Sequence, residues 1–119
     1  EWLGAERIGH GVYITDCPEA YQVVKDKGIV LEICSTSNVQ TKAVQAFRDH
    51  PLYDFHRDGI KITINTDNRT VSDTTMTKEC ELVWGEFAMS EEDYREIYLN
   101  SVDAAFASDE VKEELKRYL

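Results

Sequence analysis

The sequence predicts an α/β fold in which three parallel strands are joined by helices and followed by three C-terminal helices. Two observations predict it. Short runs rich in β-branched residues alternate with helical segments, and apolar residues in the second half of the chain recur at helical spacing. Strands separated by helices usually pair in parallel through right-handed crossovers. We therefore interpret residues 1–119 as a single partial domain.

The three strands are predicted from their residue type and from the glycines or polar residues that bound them. The first is a short strand that runs into a loop within Arg7–Ile14, and the other two cover Ile29–Ile33 and Ile60–Asn65. In the third strand the alternating isoleucines share one face, while Lys61, Thr63 and Asn65 share the other. Asp67 would continue this polar face if the strand extends so far.

Two helices are predicted between the strands. Asp16 is expected to cap a helix over Cys17–Lys27, which Gly28 ends. A second helix is expected from Thr41 to about Arg48, before His50 and Pro51 break it. The segments Cys34–Gln40 and Asp67–Asp73 are expected to be polar loops.

Three further helices are predicted after the third strand. The first has an apolar stripe, and the other two have serine caps at Ser90 and Ser108. The stripe consists of Met76, Cys80, Val83, Trp84 and Phe87. Such a stripe is typical of packing and not of a cofactor site.

The chain is acidic, with 13 Lys and Arg against 23 Asp and Glu and a formal net charge of -10. This balance argues against a nucleic-acid partner, which favours a basic patch, and against anionic membranes. An uncharged substrate such as a nucleoside fits the charge better than a polyphosphate does.

The cysteine pattern and the opening residues predict a cytoplasmic protein. Cys17, Cys34 and Cys80 are odd in number, widely spaced and without a CxxC motif, which predicts inert reduced thiols. The opening Glu1-Trp2-Leu3-Gly4 has no basic n-region and no initiator Met, so we expect no signal peptide. This opening is typical of a chain that begins partway through an element.

Each predicted strand ends in chemically distinctive residues. The three clusters are Gly9-His10-Gly11, Ser35-Thr36-Ser37-Asn38 and Asn65-Thr66-Asp67-Asn68. Because the carboxyl ends of parallel strands meet at one edge, we expect these clusters to converge. Ser37 and Asn38 are predicted to order a loop, and His50 and His56 to be exposed to solvent.

The motifs around these clusters resemble the last three strand-end motifs of the adenosine deaminase family, in the same order and most closely in its bacterial branch. The motifs are Arg7-Ile8-Gly9-His10-Gly11-Val12, Leu31-Glu32-Ile33-Cys34-Ser35-Thr36-Ser37-Asn38 and Ile64-Asn65-Thr66-Asp67-Asn68. The similarity runs from about Arg7 to the terminal helices. It implies the C-terminal part of a (β/α)8 TIM-type barrel, whereas the strands alone are equally compatible with an open sheet.

The resemblance implies zinc-dependent hydrolytic deamination of adenosine to inosine, with ammonia as the leaving group. Asp67 matches the carboxylate that ligates zinc and contacts the attacking water. His10 matches the histidine that orients this water and acts as base or electrostatic partner. Asn68 stands where many members have a second Asp that contacts the purine ring, and Ser35 stands where most have proline.

Other motifs of the family are absent from this chain, namely the paired histidines H-x-H and the H-A-G-E segment. Catalytic zinc usually has three protein ligands, and Asp67 is the one that this chain matches. We therefore expect the chain by itself to be inactive, with an incomplete Zn²⁺ site. Two alternatives stay open: a deaminase of adenine, AMP or another 6-aminopurine, and a non-catalytic fragment that self-associates through the open barrel face.

Overall fold

The computed structural model describes residues 3–119, so Glu1 and Trp2, where the predicted domain begins, lie outside the described residues. Strands β1 (Arg7–Gly9), β2 (Val30–Ile33) and β3 (Ile62–Ile64) form one parallel sheet in the order β1-β2-β3. Leu31 in the central strand pairs with Ile8 on one side and Ile62 on the other. The three predicted parallel strands are confirmed.

Helices follow each strand, and three of them close the chain. The structure has α1 (Pro18–Lys27), α2 (Ser35–Gln40), α3 (Leu52–Arg57), α4 (Arg69–Ser72), α5 (Met76–Phe87), α6 (Glu91–Ala104) and α7 (Asp109–Lys116). Short 3₁₀ turns cover Val12–Asp16 and Phe47–Asp49. Within residues 3–119, we find no helix with the length and apolar character that crossing a membrane requires.

The hydrophobic core lies on one face of the sheet, between the strands and the helices. Leu31, Ile33 and Ile62 are completely buried there, and Phe55 of α3 packs against them. The opposite face carries polar side chains, among them Glu32, whose carboxylate lies 3.4 Å from Nε of Arg7. The alternation predicted for the third strand therefore separates a helix-covered apolar face from a polar one.

The first βα unit agrees with the prediction in its strand and differs from it in the helix cap. The short strand predicted to run into a loop within Arg7–Ile14 ends at Gly9, because Gly11 adopts a left-handed conformation and a 3₁₀ turn follows it. The cap of α1 is Cys17 and not Asp16. Pro18 is the first helical residue, and the residue before a proline is held extended, which places the cap at Cys17.

The second unit reverses the predicted positions of loop and helix. Cys34–Gln40 was predicted to be a loop, but Ser35–Gln40 forms α2. The helix predicted from Thr41 to Arg48 is wrong, because Lys42 takes a left-handed conformation with φ 62°. A left-handed residue ends an α-helix, so the chain instead turns toward Pro51 and the unpredicted helix α3.

The last third of the chain follows the prediction closely. The helices at Met76–Phe87, after Ser90 and after Ser108 are confirmed, and Ser90 forms a capping box with Asp93. Within the predicted stripe Val83 is fully buried, whereas Met76 and Trp84 are 47% and 38% exposed. The predicted loop Asp67–Asp73 contains the short helix α4.

Replacement of Ser35 by proline is expected to stabilise the chain by roughly 0.5–1 kcal/mol. Ser35 is the first residue of α2, where proline is favoured, and Cys34 before it is not helical. The Ser35 hydroxyl is also buried without a hydrogen-bond partner within the described residues. Urea unfolding of Ser35→Pro and Ser35→Ala separates the two effects, because alanine removes only the hydroxyl. A proline variant less stable than the alanine variant would contradict the prediction.

Candidate active site

The loops that follow the three strands form one cleft at the carboxyl edge of the sheet. Its volume is about 540 Å³, and residues 9–14, at the end of β1 and directly after it, form a large part of its lining. Ser37 and Asn38 from α2 line it as well, together with Asp67 from the loop after β3. The structure therefore brings together residues from all three predicted clusters. Asn68, predicted to contact substrate, is not among the lining residues.

His10 and Asp67 face each other across this cleft. Nε2 of His10 lies 3.8 Å from Oδ2 of Asp67, and the two side chains are 44% and 41% exposed. Both residues have left-handed backbone conformations, with φ 62° and 55°. Such conformations cost non-glycine residues about 1–2 kcal/mol and persist where the surrounding structure imposes them. The fold thus holds both side chains in position at an energetic cost.

Gly11, directly after His10, has a steric role. A Cβ atom on Gly11 would lie 2.7 Å from Cδ2 of Leu31, a side chain that is completely buried. Gly11 also has φ 73°, a conformation that glycine adopts without strain. The backbone N–H of His10 donates to the carbonyl oxygen of Glu32 at 2.9 Å, which extends the strand ladder to this residue.

Ser37 fixes the carboxylate of Asp67. Its hydroxyl donates to Oδ2 of Asp67 at 2.8 Å, and Ser37 itself is 7% exposed. The first turn of α2, which carries Ser37, is held in turn by the fully buried Glu79 of α5. One Glu79 oxygen accepts from the backbone N–H of Thr36 at 3.2 Å, and the other accepts from the hydroxyl of Thr74 at 2.7 Å.

Asn38 connects His10 to a second histidine. Nδ2 of Asn38 lies 3.0 Å from Nδ1 of His10, and Oδ1 of Asn38 lies 3.1 Å from Nε2 of His50. The prediction that His50 is exposed is wrong, because His50 is 3% exposed. Burial lowers the pKa of His50 to about 4. His50 is therefore neutral at physiological pH.

Cys34 lies close to the His10–Asp67 pair but is unsuited to act as a thiolate. Ligand atoms of His10, Cys34 and Asp67 all lie within 4.8 Å of one another. Burial, and next the nearby charge of Asp67, raise the pKa of the Cys34 thiol to about 11. Carboxylate and imidazole are ordinary zinc ligands, so these donors fit part of a zinc site.

Asn68 acts in the structure as a helix cap. Its Oδ1 accepts from the backbone N–H groups of Thr70 and Val71, each at 3.1 Å. This bond pair starts α4 and occupies the side-chain oxygen, which leaves the Nδ2 group as a donor. Its predicted contact with a purine ring stays a prediction.

The prediction that His56 is exposed is also wrong. The His56 side chain is 7% exposed, and Nε2 lies 3.1 Å from Oδ1 of Asp93. Asp93 also accepts from the Ser90 side chain and backbone N–H and from Tyr53, and these bonds, led by those from Ser90, lower its pKa to about 2. These residues are not among those that line the cleft. The cluster joins α3 to α6 and has a structural role.

Sequence reasoning missed the supporting residues His50 and Glu79. Glu79 lies three residues after Met76 and four before Val83, on the apolar face of α5, and this position indicates burial. The signal for His50 is weaker, because a histidine directly before Pro51 is also typical of an exposed turn. Its hydrogen bond to Asn38 joins it to a segment that only the fold brings near.

The burial of neutral His50 predicts a loss of stability in weak acid. Its pKa is about 6.5 in the unfolded chain and about 4 in the folded one, so only the unfolded chain takes up this proton between those values. The titration of His50 therefore leaves the free energy of unfolding unchanged above about pH 6.5 and lowers it by about 3 kcal/mol as the pH drops toward 4. Urea unfolding at several pH values, compared between wild type and His50→Gln, checks this. Parallel pH dependence in the two proteins would contradict it.

The fold and the cleft define a class of structure. A parallel sheet covered by helices, with a cleft at the carboxyl ends of its strands, is the arrangement of α/β enzymes, (β/α)8 barrels among them. The family model for adenosine deaminase matches residues 1–119. The chain belongs to the adenosine deaminase family, as the resemblance of its motifs predicts.

Curated relatives support this assignment. The chain is 59% identical over 117 residues to an adenosine deaminase of Clostridium botulinum strain Okra, covering 98% of this chain and 35% of that protein. It is 57% identical, with the same coverage, to an adenosine deaminase of Shewanella halifaxensis. The chain thus spans about a third of the length of the curated relatives that it matches.

Solved structures confirm the predicted fold class. An adenine deaminase from Arthrobacter aurescens superimposes with a TM-score of 0.92 at 27% identity, over 97% of this chain and 35% of that one. An N6-methyl-AMP deaminase from Arabidopsis thaliana gives 0.85 at 30% identity, over 95% and 33%. An amidohydrolase from Burkholderia ambifaria, solved with bound Zn, gives 0.83 at 26% identity, over 98% and 33%.

Proposed function

We propose that the polypeptide carrying this segment catalyses zinc-dependent hydrolytic deamination of adenosine to inosine and ammonia. The observation that carries the proposal is the His10–Asp67 pair, whose side chains face each other at 3.8 Å in the cleft at the carboxyl edge of the sheet. Family membership and 57–59% identity to curated adenosine deaminases support adenosine as the substrate.

Asp67 is the residue of this segment that would hold zinc. The Ser37 hydroxyl donates to Oδ2 of Asp67, which fixes the orientation of the carboxylate as an outer hydrogen bond does for many metal ligands. When bound, zinc supplies a nucleophilic water at neutral pH, because it lowers the pKa of that water to ~7. His10 is the neighbour of Asp67 in the cleft, with Nε2 at 3.8 Å from Oδ2 of Asp67.

His10 would orient the attacking water beside Asp67. Its ring is held by Asn38 on one edge, and its other nitrogen points toward Asp67. The backbone strain at His10 and the close approach of Gly11 to Leu31 show how firmly this loop is positioned. A preorganised donor of this kind stabilises charge that develops during the reaction.

The cleft is suited to a purine nucleoside. A volume of about 540 Å³ lies in the usual range for small-molecule sites, and its walls include the side chains of Val12, Tyr13 and Ile14. The net charge of -10 disfavours a polyanionic ligand and is compatible with an uncharged nucleoside. The free Nδ2 of Asn68 is available to donate to a ring nitrogen of a substrate that extends beyond the cleft.

This segment supplies one matched zinc ligand, so we propose that the 119-residue chain by itself is inactive. The remaining ligands would come from other segments of the polypeptide, because a catalytic zinc site normally has three protein ligands. Self-association through the open barrel face stays a prediction, as does a cytoplasmic location. Sedimentation at several concentrations tests the first: a monomer at all of them would contradict self-association.

The decisive experiment measures zinc content and adenosine-to-inosine turnover on the same samples of two proteins. We expect the whole polypeptide to contain about one zinc per chain and to convert adenosine, and the 119-residue chain to do neither. A zinc-loaded whole polypeptide that leaves adenosine unchanged would overturn the proposed substrate. Turnover by the 119-residue chain would show that associated copies complete the site.

A second candidate is the deamination of a different 6-aminopurine. It is favoured by the structural relatives named adenine deaminase and N6-methyl-AMP deaminase. Those relatives are 27% and 30% identical to this chain, well below the curated adenosine deaminases. Comparing kcat/KM for adenosine, adenine, AMP and N6-methyl-AMP separates the candidates. Adenosine is expected to give the highest value, and a higher value for AMP would favour the nucleotide enzyme.

A further inference from the structure

A hydrogen-bonded network of polar groups starts beside the cleft and leads into the interior. Nδ1 of His10 lies 3.0 Å from Nδ2 of Asn38, and Oδ1 of Asn38 lies 3.1 Å from Nε2 of His50. Nδ1 of His50 accepts from the backbone N–H of Leu52 at 3.1 Å. Asn38 and His50 are each 3% exposed, so bulk water does not compete for these bonds.

The backbone fixes the direction of every hydrogen bond in this network. The N–H of Leu52 can only donate, so Nδ1 of His50 must accept and carries no proton. Burial keeps His50 neutral, and its single proton is therefore on Nε2. This N–H donates to Oδ1 of Asn38, which leaves the Asn38 amino group to donate to His10.

The sequence explains why the network begins at Leu52. Pro51 precedes α3 and has no N–H, so Leu52 supplies the first backbone donor of this helix. The first donors of a helix have no partner within it, and the His50 side chain satisfies this one. His50 therefore takes its orientation from the start of α3.

We propose that His50 is a positioning residue that, through Asn38, fixes the neutral imidazole of His10 in the tautomer with its proton on Nε2. Nδ1 of His10 accepts from Asn38, so Nε2–H is the group that faces the cleft, 3.8 Å from Oδ2 of Asp67. This distance is too long for a direct hydrogen bond, and the proton is available to a third partner in the cleft. The tautomer is a property of the fold, whereas its consequence for catalysis rests on the proposed function.

The fixed tautomer decides between the two roles that the family resemblance leaves to His10. A neutral imidazole with Nε2–H toward the cleft donates a hydrogen bond and has no lone pair there to accept a proton. His10 is then a donor that orients an oxygen and stabilises negative charge, and not a general base. The acceptor on the opposite side is the carboxylate of Asp67.

Two substitutions separate this role from a purely structural one. In His50→Gln the amide nitrogen reaches the position of Nε2 and keeps the donor to Asn38. In His50→Asn the amide oxygen reaches the position of Nδ1, which keeps the acceptor for Leu52 but loses that donor. If His50 only satisfies the first N–H of α3, asparagine should replace it better, because asparagine keeps the acceptor for Leu52. If His50 positions His10 through Asn38, as we propose, glutamine should replace it better, because glutamine keeps the donor to Asn38.

The test is ¹⁵N NMR of the imidazole nitrogens in the whole polypeptide, with His10→Gln used to identify the His10 signals. We expect Nε2–H alone at His10 in the wild type and in His50→Gln, and a mixture of both tautomers in His50→Asn. Asn38→Asp, whose carboxylate can only accept, is expected to place a proton on Nδ1 of His10. His56→Gln is the control, because His56 forms its hydrogen bond with Asp93, which is not part of this network.

Kinetics supply a second readout. His50→Asn is expected to lower kcat roughly 10–100-fold, the range known for residues that orient metal-site groups, with KM changed little and with rescue in His50→Gln. Nδ1–H at His10 in the wild type, or an unchanged His10 tautomer in both His50→Asn and Asn38→Asp, would overturn the proposal. The predicted tautomers without adenosine turnover would refute the proposed function and leave this inference intact.

Discussion

Replacing Asp67 by asparagine in the whole polypeptide is expected to lower both zinc content and adenosine turnover, the latter by at least about 100-fold. The substitution keeps the size of the side chain and tolerates the left-handed backbone at φ 55°, so the fold is retained. It removes the negative charge that a zinc ligand supplies and that faces His10 at 3.8 Å. Loss of even an outer-shell partner costs roughly 10–100-fold, and a direct ligand contributes more.

Asp73→Asn is the matched control for this prediction. Asp73 is exposed and also left-handed, with φ 49°, but it is not among the residues that line the cleft. Zinc content by elemental analysis and kcat/KM for adenosine are measured for wild type and both variants. Full zinc content and turnover in Asp67→Asn would show that this carboxylate is not a metal ligand, and equal losses in both variants would indicate a general defect in the loop.

Replacing Phe55 by alanine is expected to destabilise the folded chain by about 3–5 kcal/mol. Phe55 is 1% exposed at the centre of the core, and its ring centroid lies 5.9 Å from that of Tyr21. Truncation removes the contacts that join α3 to the sheet and leaves a cavity that the neighbouring strands cannot fill. Such a loss is a large fraction of the roughly 5–15 kcal/mol that stabilises a typical domain.

Phe106→Ala provides the comparison for the same change at the surface. Phe106 is 77% exposed, and its ring contacts the guanidinium of Arg7 at 3.7 Å from the centroid. An exposed cation–π contact contributes about 0.5–1 kcal/mol, so a correspondingly small loss is expected. Urea unfolding monitored by circular dichroism gives both values. A loss below about 1 kcal/mol in Phe55→Ala would show that α3 does not depend on this packing.

Part of the fold could be predicted from residues that lie close together in the sequence. The strands β2 and β3 and the last three helices were predicted from neighbouring residues alone, and all five were confirmed. The predicted α1 was displaced by one residue at its cap, and the segment 34–48 was assigned with loop and helix reversed. In that segment the helix α2 is held by Glu79 and Asp67, which lie far away in the sequence.

The candidate site, too, has one part that the sequence predicts and another that only the tertiary structure shows. The sequence by itself determined the three strand-end clusters and their expected convergence at one edge of a parallel sheet, and the family resemblance pointed to His10 and Asp67 among them. Only the tertiary structure decided that Ser37 holds Asp67 and that Asn38 and buried His50 hold His10. The physical reason is that side-chain direction and burial depend on contacts between segments, whereas strand pattern depends on residues close together in the chain.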